Sequence, residues 1–463
     1  MLGRPGELRA GATRVTGNRL IKAFGEVMHI SRVRLRNIKG FHGAREVDIE
    51  LRAPGWTVIA GRNGSGKTTL LRAIALAITG PTVANTLVSD FENWISASSR
   101  TADAEVLLTH DDTADRLANS LFSHEPLQAA LRWTTPPDTT PFNGVQPELA
   151  SVDHNASVLD GPWDRNPNGW FCAAYGPFRR LAGGSGDVQR LMVRPGPVAR
   201  LATLFQEDAS LAEGVSWLIR QHLRALEGQA GAEELKRTAL ALLGDGLLPD
   251  HYRIDHVDSE GLWIVVGEHR FPLREMSDGY RTVVALVVDL LKQIHQTYGS
   301  LRTDGLAVLS PGVVIIDEVD AHLHVSWQKR IGGWLKEHFP NIQFIVTTHS
   351  PYVCQAADPG GLIRLPGPAE DAPPRVVDQD LYERIVFGSG DDAILSELFG
   401  LDSPYSDEAE RLRGELVDLE VAVISGTATA QEISRYDELK DVLTSSPVAR
   451  SREVQTRLGL PEE

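Results

Sequence analysis

The sequence predicts an α/β fold, with a lobe built on a parallel sheet, an antiparallel β flank, an inserted helical lobe and a helical C-terminal tail. Three observations predict it. The apolar run Trp56–Ala60 leads directly into a glycine-rich loop and then into a helix-forming stretch. Val313–Ile316 and Phe344–Thr347 are two more continuous apolar runs, each ending in polar residues. Between those two runs lies one helix length, Val325–Phe339. Continuous apolar runs joined by helical crossovers are the mark of buried parallel strands, and open sheets of this kind place ligands at the carboxyl ends of their strands.

The remaining elements follow in order. Val33 and Leu35, then Val47, Ile49 and Leu51, alternate with polar residues and predict an antiparallel pair. A helix is expected over Thr68–Thr79, stopped by Gly80-Pro81. Ala104–Thr109, Leu127–Trp133 and Trp170–Tyr175 read as a β-rich flank. Residues 198–245 read as mainly helical, Gly261–Phe271 as a strand, and Tyr280–Tyr298 as a long amphipathic helix. The expected division is a disordered N-terminal extension over 1–27, a head over 28–375 with a helical lobe at about 187–280, and an acidic helical region over 376–463. Strand pattern begins immediately after Met28, which therefore reads as the real start of the protein.

Composition narrows the function. At 463 residues and 42% hydrophobic content the chain can bury a sizeable core. No run of about 18 apolar residues occurs, so no membrane span is expected. Cys172 and Cys354, the only cysteines, are far apart and lack metal-ligand spacing, which fits a reducing cytoplasm. The net charge of −16 disfavours a generally basic nucleic-acid binder. Much of it lies in the tail, where 17 acidic residues face 7 basic ones from Asp391 onward.

Gly61-Arg62-Asn63-Gly64-Ser65-Gly66-Lys67-Thr68 satisfies G-x-x-x-x-G-K-[ST] between a strand and a helix. Its glycines let backbone N–H groups of Asn63 to Thr69 turn toward a β-phosphate, Lys67 adds a point charge, and the Thr68 hydroxyl can hold Mg²⁺. Val313–Glu318 is an apolar strand ending in two acids, costly to bury without a cation or water partner. Asp317 is expected to hold the metal and Glu318 to orient or deprotonate an attacking water. His349 ends the neighbouring strand within expected reach of a γ-phosphate. Ser277-Asp278-Gly279 opens a helix and reads by itself as an N-cap and anion site.

This order of motifs resembles the ABC ATPase superfamily: Walker A at Gly61–Thr68, the signature at Ser277–Gly279, Walker B at Val313–Glu318, the D-loop at Asp320 and the switch histidine at His349. The resemblance implies binding and hydrolysis of ATP with Mg²⁺. It also implies a head-to-tail ATP-sandwich homodimer in which Ser277 and Gly279 of one protomer face the γ-phosphate held by the other. Asp278 in the signature and the long segment before it look like the soluble, DNA-associated branch rather than a transporter subunit. Within that branch, Tyr175–Arg179, Arg274–Arg281 and Asp317–Gln328 are similar to bacterial ATPases of the Septu type, which are anti-phage defence components paired with an HNH nuclease. That resemblance implies a separate nuclease partner, and no nuclease centre is visible in this chain. The segment Tyr175–Arg179 stands where a Gln-loop is expected but supplies no glutamine.

The alternative is a RecF-like repair ATPase acting as a DNA-binding and loading module. For DNA, the candidates are Arg32, Arg34 and Arg36 on one strand face, and Arg179, Arg180, Arg190 and Arg194; a solvated surface is the competing reading of both sets. Lys39 is a candidate nucleotide contact, as a basic residue near this strand is in zinc-hook repair ATPases. The acidic tail is a candidate docking surface for a partner or an ordinary solvated helical face.

Overall fold

The computed structural model describes residues 27–119, 125–136, 146–152, 156–179, 186–193, 195–248, 251–401 and 403–443. The expected extension before Met28, Arg180, Arg194 and the end of the acidic region lie outside the described residues.

A six-stranded sheet forms the centre of the head, with spatial order 375–376, 362–364, 55–60, 342–348, 312–316 and 172–175. Its strands are parallel except the outermost, Arg375–Val376. Gly312–Ile316 pairs directly with Ile342–Thr348, so the crossover between them brings the Asp317 and His349 ends side by side. Trp170–Tyr175 does not join the β flank as the sequence suggests. Cys172–Tyr175 is instead the edge strand of the central sheet, paired in parallel with Gly312–Ile316. It is wholly apolar except for a tyrosine tip, and such a run suits a strand covered on both faces.

Both faces of the sheet are covered, and the apolar residues of its central strands divide between two cores. Ile59, Val313, Ile315 and Ile345 face one core, shared with the helix Lys67–Leu87 and a second, five-stranded antiparallel sheet in the order 47–50, 29–36, 101–109, 127–134 and 148–151. Val58, Val314, Ile316, Phe344 and Val346 face the other, shared with the helix Asp278–Tyr298 and the helical lobe. Within Asp278–Tyr298 every residue from Thr282 to Ile294 is buried. The two sheets are tied by buried Gln343, whose amide bonds the backbone of Ile30 in both directions and the carbonyl of Arg52.

The helix after the glycine-rich loop does not stop at Gly80-Pro81. Gly80 takes φ 84, a left-handed value that suits glycine, and the helix resumes to Leu87. Proline cannot donate to the carbonyl four residues back, that of Ala77. The Trp163 indole N–H donates to it instead, at 2.9 Å. Trp163→Phe is therefore expected to leave a buried carbonyl unpaired and to cost about 1–3 kcal/mol in urea unfolding. By composition Lys67–Leu87 is long and apolar enough to span a membrane, but two thirds of that stretch is buried in the core.

Residues 186–244 form four helices, of which Pro197–Phe205 packs on the central sheet and the loop helix. The expected strand Gly261–Phe271 is a hairpin, Leu262–Val266 and His269–Pro272, turning at Gly267 and joined by Arg253–Val257. Beyond the head, Gln379–Val386 and Gly390–Ile394 contribute Leu381, Ile385 and Ala393 to the same core. Asp407–Ile424 and Ala430–Val442 form an outlying pair whose strongest contacts are with each other. The second of them opens on a capping box between Thr429 and Glu432.

Candidate functional site

The loop Gly61–Gly66 joins the strand Gly55–Ala60 to the helix that begins at Lys67. Gly64 and Gly66 take φ 76 and 100. A Cβ on Gly66 would lie 2.7 Å from the Phe41 ring, so only glycine lets the loop rest on that ring. Buried Arg45 braces it from beneath, donating to the carbonyls of Gly40, Ser65, Pro366, Gly367 and Glu370. The Ser65 hydroxyl is buried without a hydrogen-bond partner. An unpaired donor inside a glycine cradle at a helix N-terminus fits a phosphate.

Lys67 folds back over this cradle, its Nζ donating to the carbonyls of Gly61 at 2.8 Å and Arg62 at 3.2 Å. Burial lowers its pKa, while Asp317, Glu318 and Asp320 pull it back up. The Thr68 hydroxyl donates to Asp317 Oδ2 at 2.7 Å. Thr68 and Asp317 are thus paired where a Mg²⁺ ion would take one oxygen from each. Asn63 and Gly64 are exposed at the loop tip, and Thr69 sits half-buried in the first helical turn.

Thr347, on the adjacent strand, holds both acids. Its hydroxyl donates to Asp317 Oδ1 and accepts the Glu318 N–H at 2.8 Å. Glu318 itself has φ 45, a left-handed conformation that disfavours glutamate, and its side chain is only partly buried. The turn continues to Asp320, which accepts from the Thr348 hydroxyl and the His349 N–H. Thr347→Val removes both of the hydroxyl's bonds. It is expected to destabilise the protein by about 1–3 kcal/mol in urea melts, with a fall in ATP turnover larger than any change in ATP affinity.

His349 lies at the exposed rim beside these groups. Burial, with the Lys67 ammonium second, holds its imidazole below the ordinary 6.5, against the pull of Asp320, Glu318 and Asp317. It is therefore neutral at pH 7 and gains its proton only as pH falls below that value. Turnover is expected to stay level from about pH 8 down to the ordinary imidazole value and to fall below it. In His349→Gln that acid limb should disappear or move.

The structure thus brings Lys67, Thr68, Asp317, Glu318 and His349 together. It does not bring the signature to them: among the described residues no hydrogen bond joins Ser277 or Gly279 to the loop. Ser277 is exposed at the N-cap of Asp278–Tyr298, and its side chain makes no capping bond. Gly279 rests on the turn after Glu318, where a Cβ would lie 2.3 Å from the His322 carbonyl oxygen. Lys39 has φ 48 and stands 5.2 Å above the Trp94 ring. Burial and the neighbouring Arg72 lower its pKa.

The basic clusters are placed differently from a free DNA face. Arg32 pairs with Asp48 and Glu50, Arg34 with Glu105 and Asp48, and Arg36 with Glu46. Arg179 is not on the surface at all but is buried under the Asp317–Ala321 turn, donating to its carbonyls. Arg45 and Thr347 had no sequence signal. Their partners are backbone atoms or residues far along the chain.

Two family models match this chain. One, described as "AAA domain, putative AbiEii toxin, Type IV TA system", covers residues 221–355, and another, described as "AAA domain", covers residues 32–124. The Septu protein PtuA of Bacillus mycoides is 25% identical over 338 residues, 72% of this chain and 40% of that protein. The Septu protein PtuA of Bacillus thuringiensis is 30% identical over 197 residues, 41% and 48% of the two chains. The Retron Ec83 probable ATPase of Escherichia coli is 44% identical over 85 residues, 18% and 15% of the two. This chain spans less than half the length of each of these curated relatives. Among solved structures, the SMC head domain from Thermotoga maritima aligns at 18% identity and a TM-score of 0.40, over 76% of this chain and 99% of that one. The Smc head of Pyrococcus furiosus with an extended coiled coil aligns at 18% identity and 0.44, over 76% and 96%. By sequence, this chain is similar to the Septu PtuA proteins over most of its length, and the two stretches matched by AAA-domain models hold the glycine-rich loop and the acid-ended strand with its neighbour.

Proposed function

We propose that this chain is the ATPase of an anti-phage defence pair, a nucleotide-dependent dimer that regulates a separate HNH nuclease. One observation carries the chemistry: Thr347 fixes Asp317 and Glu318 next to the loop that holds Lys67 and Thr68. The loop N–H groups and Lys67 bind and orient the ATP phosphates. A Mg²⁺ ion held by Thr68 and Asp317 would offset negative charge on the β- and γ-oxygens. Glu318 then aligns a water with the γ-phosphorus and accepts its proton, while neutral His349 donates or accepts at the same rim. Lys39 is assigned to the nucleotide on its place beside the loop helix.

Ser277 supports the dimer. An unused hydroxyl and the free N–H groups of a helix start are the groups a second protomer's γ-phosphate would meet. The nuclease is assigned to the outlying hairpin Asp407–Val442, where ten acidic residues face four basic ones and Val421, Ile424 and Val442 are exposed. Similarity to Septu PtuA over most of the chain supports the defence role. The RecF-like reading needs a DNA face, and its candidate row is already paired with acids. In the cytoplasm of the native host, affinity capture of a tagged chain should bring down an HNH nuclease whose cleavage rate differs between ATP and ADP. Capture of a replication or repair protein, with nuclease absent, would favour the RecF-like reading instead.

A further inference from the structure

Arg179 is 3% exposed, yet its donors go to backbone carbonyls rather than to a carboxylate. Nη1 donates to Gly176 at 3.0 Å and Asp317 at 2.9 Å. Nη2 donates to Glu318 at 3.0 Å and, at longer range, to Val319 at 3.4 Å and Ala321 at 3.5 Å. Burying a guanidinium is costly, and it is tolerated where its donors are satisfied. Here they are satisfied by the turn that carries the hydrolytic carboxylate.

That turn needs holding. Glu318 sits at φ 45, and a glutamate in the left-handed region costs of order 1–3 kcal/mol unless its surroundings over-determine it. Two bonds do so: its N–H is fixed by Thr347 and its carbonyl by Arg179. A planar fork can gather carbonyls that converge from one tight turn, whereas a lysine ammonium is a single point with three donors. Arg179 also reaches the signature helix through its own carbonyl, which accepts the Thr282 hydroxyl at 3.4 Å. Thr282 sits in the first turns of that helix, and its single hydroxyl proton goes mainly to the carbonyl of Asp278, at 2.7 Å, which leaves the Arg179 contact as the weaker branch.

We propose that Arg179 is a positioning residue for ATP hydrolysis: it clamps the Asp317–Ala321 backbone in the turn that aims the Glu318 carboxylate. It does this without touching nucleotide. The inference rests on Glu318 being the hydrolytic carboxylate.

The test measures kcat, KM, thermal melting and the affinity of a fluorescent non-hydrolysable ATP analogue in the full chain, for Arg179→Lys, Arg179→Ala and Glu318→Gln. In Arg179→Lys, analogue affinity and KM should stay within about threefold of wild type while kcat falls at least about tenfold. In Arg179→Ala, millimolar guanidinium chloride should recover part of kcat and an equal concentration of sodium chloride should not, a response that loss of packing alone would not give. Arg179→Lys with kcat within about twofold of wild type overturns the proposal, as does a loss of analogue affinity equal to the loss of kcat. Absence of guanidinium recovery in a folded Arg179→Ala also overturns it. Wild-type turnover in Glu318→Gln would instead show that the reading of Glu318 is at fault.

Discussion

Glu318→Gln is expected to bind ATP with near-wild-type affinity and to hydrolyse it about 10²–10⁴-fold more slowly. The amide keeps the size and the backbone bonds of the glutamate, so the turn held by Thr347 and Arg179 should survive the change. What is lost is the group proposed to accept a proton from water. The hydrogen bonds that hold Lys67 and Thr68 do not involve that carboxylate: Lys67 is held by the carbonyls of Gly61 and Arg62, and Thr68 by Asp317. ATP should therefore remain bound and undivided, and a dimer should accumulate in size-exclusion chromatography with ATP and Mg²⁺. A variant that stays monomeric and turns over at the wild-type rate would remove Glu318 from the mechanism.

The second large effect is expected at a residue that makes no hydrogen bond to the loop of its own chain. Ser277→Arg places a long cation at the exposed start of Asp278–Tyr298, where the wild-type hydroxyl has no capping bond to lose. Folding should be nearly unaffected, since exposed substitutions of this kind usually stay within about 0.5 kcal/mol. Binding of ATP to the chain's own loop should also persist. Turnover should nevertheless collapse, because in the proposed dimer the bulk and extra donors of the arginine would occupy the place offered to a second protomer's γ-phosphate. This combination of intact fold, intact binding and lost hydrolysis separates a shared site from one completed within a single chain.

Much of the site was legible because its motifs are local. A phosphate loop needs glycines, a lysine and a hydroxyl at fixed offsets, and a buried strand ending in acids stands out from its neighbours. Parallel strands were legible as continuous apolar runs, and the crossover length between Ile316 and Phe344 told that their ends are adjacent. Where reading failed, the cause was tertiary. Cys172–Tyr175 looks like any short β run, and only its partner strand assigns it to the central sheet. Gly80-Pro81 reads as a stop, yet the Trp163 indole satisfies the carbonyl that proline orphans, and the helix goes on. Arg179 was grouped with surface arginines by charge alone. Its actual partners are carbonyls about 140 positions away, which no local pattern encodes. Arg45 is hidden for the same reason, bracing the loop through carbonyls more than 320 positions distant.

The central claim is that one working nucleotide site is built from two chains, and mixing two inactive variants tests it most directly. Lys67→Ala spoils a chain's own loop, and Ser277→Arg spoils only what it offers its partner. In a mixed dimer one site carries both defects while the other has a wild-type loop facing a wild-type signature. Equal mixing makes about half the dimers mixed, each with one good site, so turnover should return to roughly a quarter of wild type from two nearly inactive components. If the mixture stays as inactive as its components, or if Ser277→Arg alone hydrolyses ATP normally, the site is not shared between protomers.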